Sequence, residues 1–307
     1  MYQPGRRGTA RVGILTILPV EFDAMRLALH AKHEIIGSGY YTPDVKTLDV
    51  VLKKSDRGNL QAGIDATNLI EDYRPEVVLL VGIAGGLDGR DDVAPGDVVV
   101  PDYLHYAALR SLKGSGAHPR HIPHDPPTVS LHEECVFPAS RDSSWSASIP
   151  VDPPTERTAR VIVKPLIAGE KVYGNASHPE QRRLLESDEF SDAVAVDMES
   201  MGVASAIHRA RRSLTYNPRL LVVRGISDPV EREAADRTEG TQMDPNVGDP
   251  NEVREQWRPY AAAAAAAFAA VVVARILNTP DERPFARSGT AGLARGRGAW
   301  SWWGLKR

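Results

Sequence analysis

The sequence predicts an α/β fold, a central mixed sheet flanked by helices, on three observations. Continuous Val/Ile/Leu runs of strand length, such as "EVVLLVG" (76–82), punctuate the chain, and they mark strands buried on both faces. Between them lie segments whose apolar residues recur at helical spacing. The 307 residues are 42% hydrophobic and 25% charged, with no internal repeat or compositional break, so one sizeable core is expected.

The elements come in order. "RVGILTIL" (11–18) reads as a buried strand, and "PVEFDAMRLALH" (19–30) as a helix opened by proline. "TLDVVL" (47–52) is a second strand, and "GNLQAGIDATNLIEDYRP" (58–75) a helix stopped by Pro75. "EVVLLVGIAGG" (76–86) is a strand running into glycines, and "GDVVVPD" (96–102) a short strand. "RTARVIVKPLIAGEKVYG" (157–174) carries a further strand into a Gly-bounded turn. "DAVAVDM" (192–198), "ESMGVASAIHRARRS" (199–213) and "RLLVVRGISD" (219–228) read as strand, helix and strand. The last helix is "YAAAAAAAFAAVVVARIL" (260–277). Its apolar run invites a membrane reading, but alanine is a weak anchor and Arg275 interrupts it, so a packed helix is expected and no membrane contact.

Two segments depart from this alternation. Residues 107–156 are rich in Pro, His and Ser with little periodicity, and are expected to form an irregular insertion loop. Residues 281–307 hold six Lys/Arg against two acids, with Trp300, Trp302 and Trp303, and read as a disordered basic tail. The expected domain spans residues 11–280.

Charge and cysteine usage exclude several classes. A formal net charge of −3 does not suggest a nucleic-acid partner. The single cysteine, Cys135, rules out an intrachain disulfide and fits a reducing, cytoplasmic compartment. The start, "MYQPGRRGTA", lacks the apolar core of a signal peptide. His118, His121, His124 and His132 have no compact ligand spacing, so no metal is expected.

Ligands of α/β sheets sit at the carboxyl ends of strands. Four such ends here carry notable residues: Glu21 after the first strand, Ile83-Ala84-Gly85-Gly86, then Asp197 and Glu199 around Met198, and Ser227-Asp228 after Arg224. Each has a plain structural reading. Glu21 suits the positive end of a helix. "GIAGG" lacks the lysine and spacing of a phosphate loop and fits tight packing. Asp197 or Glu199 suits a helix cap. Arg224 suits an ion pair, Asp228 suits a turn, and His208 a surface helix position.

The ordered set "GILTILPVEFDAM", "VGIAGGL…PGDVVV", "VDMES" and "VRGISD" resembles the nucleoside phosphorylase superfamily. It looks closest to the 5′-methylthioadenosine/S-adenosylhomocysteine nucleosidases, over residues 11 to 277 apart from the middle loop. The resemblance implies a single-domain nucleoside phosphorylase-like fold and roles for individual residues. Glu21 matches the acid that activates water, and Asp228 the acid that serves N7 of the leaving purine. Glu199 matches the carboxylate that holds the ribose 2′- and 3′-hydroxyls, with Met198 against the sugar and Arg224 near the water. Ile83, Ala84, Gly85 and Ser227 fall in substrate-binding motifs, and Val172 and Tyr173 in the base pocket. Ile83 stands where the family usually carries a small hydroxyl residue, and Val172 near a position usually aromatic.

The residues and the resemblance together predict a cofactor-free N-glycosidase that acts on a small purine nucleoside or nucleotide, adenine favoured, and assembles as a homodimer. The rivals are a phosphate-dependent phosphorylase and a non-catalytic nucleoside-binding module. A third is a stress or defence effector that depurinates nucleotides such as ATP, with Arg110, Lys113 and Arg120 of the middle loop meeting phosphate.

Overall fold

The structure is a computed structural model. It describes residues 7–279 except 36, 91–92, 109, 114–115, 120–123, 172, 174–176, 187, 213–214 and 231–249. The expected tail, 281–307, lies outside the described residues.

Strand β1 (Val12–Thr16) is wholly buried, and Pro19, with its φ preset, opens α1 (Pro19–Ala28). Strands β2 (His33–Ile35) and β3 (Tyr40–Thr42) lead to β4 (Val50–Lys54), which pairs parallel to β1. Helix α2 (Asn59–Tyr73) returns the chain to β5 (Val77–Leu87), parallel to β1 on its other side. Strands β6 (Val98–Val99) and β7 (Leu104–Tyr106) precede a hairpin of β8 (Arg110–Lys113) and β9 (Gly116–Pro119). A helical run then covers α3 (Val129–Leu131), a π-turn (His132–Val136) and α4 (Phe137–Ser140), followed by α5 (Ser144–Ala147).

The expected strand within 157–174 is two, β10 (Val161–Ile162) and β11 (Leu166–Ala168), divided at Pro165, which has no N–H for a ladder. After α6 (Pro179–Glu186) come β12 (Ala195–Asp197), α7 (Ser200–Ala210), β13 (Arg219–Val230) and α8 (Pro250–Asn278).

The main sheet runs β10-β6-β13-β5-β1-β4-β3-β2. Parallel pairs fill its centre, and antiparallel pairs occur at β6–β13 and at the β2–β3–β4 edge. Alternate residues of each apolar run enter different cores. Val77, Leu79 and Val81 of β5 join Val12, Ile14, Met25 and the α8 residues Ala264, Phe268 and Val272 on one face. Val78 and Leu80 join Leu69 of α2 and Val203 and Ile207 of α7 on the other. That division is why these strands carry no polar face.

Strand β5 continues through its glycines instead of turning there. Its last residues stay paired with β13 and also take β12 antiparallel, Val196 opposite Gly85 and Ala195 opposite Gly86. A branch of β12, β11 and β7 therefore forks from the carboxyl end of β5. The fork opens the sheet at the end where ligands of α/β folds sit.

Two expectations about length fail. The region 107–156, read as irregular, has a hairpin and a helical run that buries Leu131, Cys135 and Ala139. Their spacing of four residues is helical, although the surrounding Pro, His and Ser hide it. Helix α8 begins at Pro250, ten residues before the expected start, and carries Pro259 inside it. It is long and apolar enough to cross a membrane, yet 72% of its most apolar window is buried within the protein.

Candidate active site

At the fork, one cavity of about 300 Å³ gathers Glu21, Ile83, Ala84, Gly85, Tyr173, Asp197, Met198, Glu199, Ser227 and Asp228. Of the sequence-predicted residues, Arg224 lies buried beneath it, and Val172 falls outside the described residues.

Arg224 organises the floor. Its Nε donates to Asp197 Oδ2 at 2.8 Å, and its Nη2 lies 2.6 Å from the same oxygen and 3.3 Å from Glu199 Oε2. Its side chain is 0% exposed. Burial opposes the guanidinium charge, but Asp197, Glu199 and Glu21 outweigh it and hold the group protonated. Arg224 Nη1 is buried with no hydrogen-bond acceptor among the described residues. Gly82 lets it lie there. A Cβ on Gly82 would stand 2.4 Å from Arg224 Nη1 and 2.7 Å from Glu21 Oε1, so any side chain would push both out.

Glu21 sits in the first turn of α1 and is fixed by three backbone N–H groups. Ile17 and Leu18 donate to Oε2 at 2.8 and 2.7 Å, and Ile83 donates to Oε1 at 2.8 Å. The acid thus completes its own helix start, as its plain reading implied, and also lines the cavity. Burial pushes its carboxyl above the ordinary carboxylate range, against the pull of Arg224 and the three N–H groups. Ile83 contributes through its N–H, which the identity of its side chain does not affect.

Asp197 and Glu199 divide the work at the start of α7. Asp197 accepts from the Ser200 N–H at 3.3 Å and from the Ser200 hydroxyl, so it serves the helix terminus. Glu199 Oε1 accepts from Gly58 N at 3.1 Å. Gly58 has φ +92, a backbone region that favours glycine, and it aims its N–H across the chain at this carboxylate. Burial raises the Glu199 carboxyl as well, with Arg224 lowering it in part and Asp197 raising it further.

At the other side of the cavity, Ser227 Oγ lies 2.5 Å from Asp228 Oδ1 and 3.4 Å from the Ala84 carbonyl oxygen. A register shift in β13 between Ile226 and Asp228 turns this pair toward the cavity. Arg254 of α8 donates to Asp228 Oδ2 at 2.7 Å, and that bond keeps the guanidinium charged. Sequence reasoning missed Arg254 because the turns that carry it were not recognised as helix. It also missed Arg57 and Arg258, which line the same cavity, as does Lys171 of the expected base-pocket stretch "GEKVY" (169–173). The i, i+4 spacing of Arg254 and Arg258 was the available signal. Arg110 and Lys113 lie on the β8–β9 hairpin, and Arg120 lies outside the described residues.

Comparison with known proteins gives a consistent picture. The sequence profile of the phosphorylase superfamily matches residues 11–274. A 5′-methylthioadenosine/S-adenosylhomocysteine nucleosidase of Staphylococcus aureus is 27% identical over 225 residues, 73% of this chain and 88% of that protein. The enzyme of the same description from Colwellia psychrerythraea, solved with adenine, superposes with TM-score 0.62 at 19% identity, covering 88% of this chain and 97% of that one. Futalosine hydrolase of Helicobacter pylori superposes with TM-score 0.61 at 17% identity, covering 87% and 98%.

Proposed function

The chain belongs to the phosphorylase superfamily, and from that premise we propose that it is an N-glycosidase that hydrolyses the purine–ribose bond of a nucleoside or nucleotide, adenine favoured. The observation that carries the reading is the meeting of Glu21, Glu199 and Asp228 in one cavity, around a buried arginine. The related nucleosidases support it in reaction class.

Breaking an N-glycosidic bond builds positive charge on the sugar and negative charge on the base. Glu199 takes the ribose 2′- and 3′-hydroxyls, and its negative charge steadies the oxocarbenium-like sugar. Glu21 takes a proton from the attacking water. Arg224, buried beneath the cavity, lends Glu21 its positive charge and helps to keep that carboxylate ionised for the task. The departing purine meets the Ser227–Asp228–Arg254 cluster, which supplies hydrogen bonds and positive charge where negative charge develops. Both Asp228 oxygens accept hydrogen bonds at rest, so Asp228 takes a proton from solvent and passes it to N7, and the proton that Glu21 removes from water returns to solvent. Met198 and Tyr173 provide apolar surface beside the sugar and the base.

A phosphorolytic enzyme needs cations where the nucleophile sits. Here Glu21 occupies that place, and Arg224 is matched by two carboxylates. A phosphate dianion beside Glu21 would be repelled by several kcal/mol at low effective dielectric. The test is product analysis with and without inorganic phosphate. Free ribose or its 5′-substituted form, produced without phosphate and lost in Glu21→Gln, is expected. Ribose 1-phosphate as main product would overturn hydrolysis. No base release from any purine substrate would overturn the enzyme reading in favour of a binding module.

A further inference from the structure

The cavity has a floor of one sign and a rim of the other. Its lining acids, Glu21, Asp197, Glu199 and Asp228, are all buried. The charged lining residues that reach solvent are Arg57, Lys171, Arg254 and Arg258, every one basic, in a chain whose net charge is −3. They come from three places: the turn two residues ahead of α2, the loop after β11, and two successive turns of α8. No local run of sequence explains the cluster.

Existing ion pairs leave much of this charge available. Lys171 meets Glu180, and Arg258 gives one N–H from each Nη to Glu255, but neither of those glutamates lines the cavity; Arg254 alone is paired to a lining acid, Asp228. Arg258 keeps its side chain partly exposed beside the cavity, with the second N–H of each Nη left over. Arg57 has no ion-pair partner among the described residues. A guanidinium carries five N–H donors in a planar fork that matches phosphate oxygens, so these arginines retain donors for an anion.

We propose that the substrate carries phosphate on its 5′ oxygen, and that Arg57, Arg258 and Lys171 select it, Arg254 being committed to Asp228. The proposal rests on the reading of this cavity as a purine nucleoside site. Within that reading the direction is fixed by chemistry. The glycosidic bond and the 2′- and 3′-hydroxyls belong with the buried acids, which would repel phosphate. The 5′ carbon is left for the basic rim. The same rim would draw anionic substrates in from solution, with an effect that weakens as salt screens it.

The test measures kcat/KM for base release from adenosine and its 5′-mono-, di- and triphosphates, on the full chain, at low and high salt. At least one nucleotide is expected to exceed adenosine by about tenfold or more, since charge-assisted arginine contacts are the strong ones. High salt should narrow that ratio. In Arg57→Ala/Arg258→Ala the ratio should fall toward one, and Arg57→Glu should lower it further. Adenosine cleaved as well as or better than every nucleotide would overturn this proposal and leave the nucleosidase reading intact. Failure to release base from all four would overturn this proposal, and failure on 5′-methylthioadenosine and S-adenosylhomocysteine as well would overturn the nucleosidase reading with it. A ratio that survives the double substitution would place the selection elsewhere and overturn the assignment to this rim.

Discussion

Glu199 makes a contact to Gly58 and one to Arg224, and neither uses up its capacity to accept hydroxyls. Glu199→Gln should keep the fold and lose about 1.5–3 kcal/mol of transition-state stabilisation, roughly 10- to 100-fold in rate. The loss should be larger on ribosides than on 2′-deoxyribosides, because only ribosides have the second hydroxyl. An equal loss on both would place Glu199 elsewhere in the mechanism. Asp228→Asn should abolish cleavage of natural purines and spare a nitrophenyl riboside, whose leaving group departs without a proton. Glu21 works as a base only when ionised, and burial holds its carboxyl above the ordinary value of 4.5. The acid limb of kcat/KM should therefore lie above the usual carboxylate range, with activity falling as pH drops through it. A limb at or below 4.5 would show that Glu21 is not the titrating base.

At the scale of elements, α8 lies flush on β13. A Cβ on Gly225 would stand 2.0 Å from the backbone oxygen of Ala261, an atom that cannot swing aside. Gly225→Ala should cost about 3 kcal/mol, the upper end of overpacking, and lower the midpoint of thermal unfolding accordingly. Activity should suffer too, because α8 also positions Arg254 against Asp228. The central strands were readable because each is buried on both faces and so is apolar without interruption. Glu21, Glu199, Arg224 and Asp228 were readable as an ordered set of motifs. The first turns of α8 were not, since "PNEVREQWRP" is polar and holds Pro259, a residue that removes a helical hydrogen bond. The rim escaped notice for that reason: two of its four cations ride on those turns. The Pro165 break in the strand region 157–174 was visible in the sequence, but the apolar residues on either side masked it.

For the molecule as a whole, Arg224 is the knot between β13 and the β12–α7 junction. Arg224→Met should leave Asp197, Glu199 and Glu21 buried without their cation and cost about 3–5 kcal/mol, read by urea unfolding. Arg224→Lys keeps a charge but loses the fork that spans Asp197 and Glu199, and should fall between that variant and the native protein. A loss in Arg224→Met within about 1 kcal/mol, the size of an exposed pair, would mean that the acids take up protons and dispense with the arginine.

The fork at the end of β5 also governs when the site comes into being. Glu21 is held by a residue 62 positions away, Glu199 by one 141 positions away, and Asp228 by an arginine across the 231–249 segment. Contacts that distant form only after long loops have closed, which makes them late steps of folding. A chain cut ahead of α8 lacks the guanidinium on Asp228, so a truncation before Pro250 should release no base. In refolding from urea, recovery of helical signal should precede recovery of glycosidase activity.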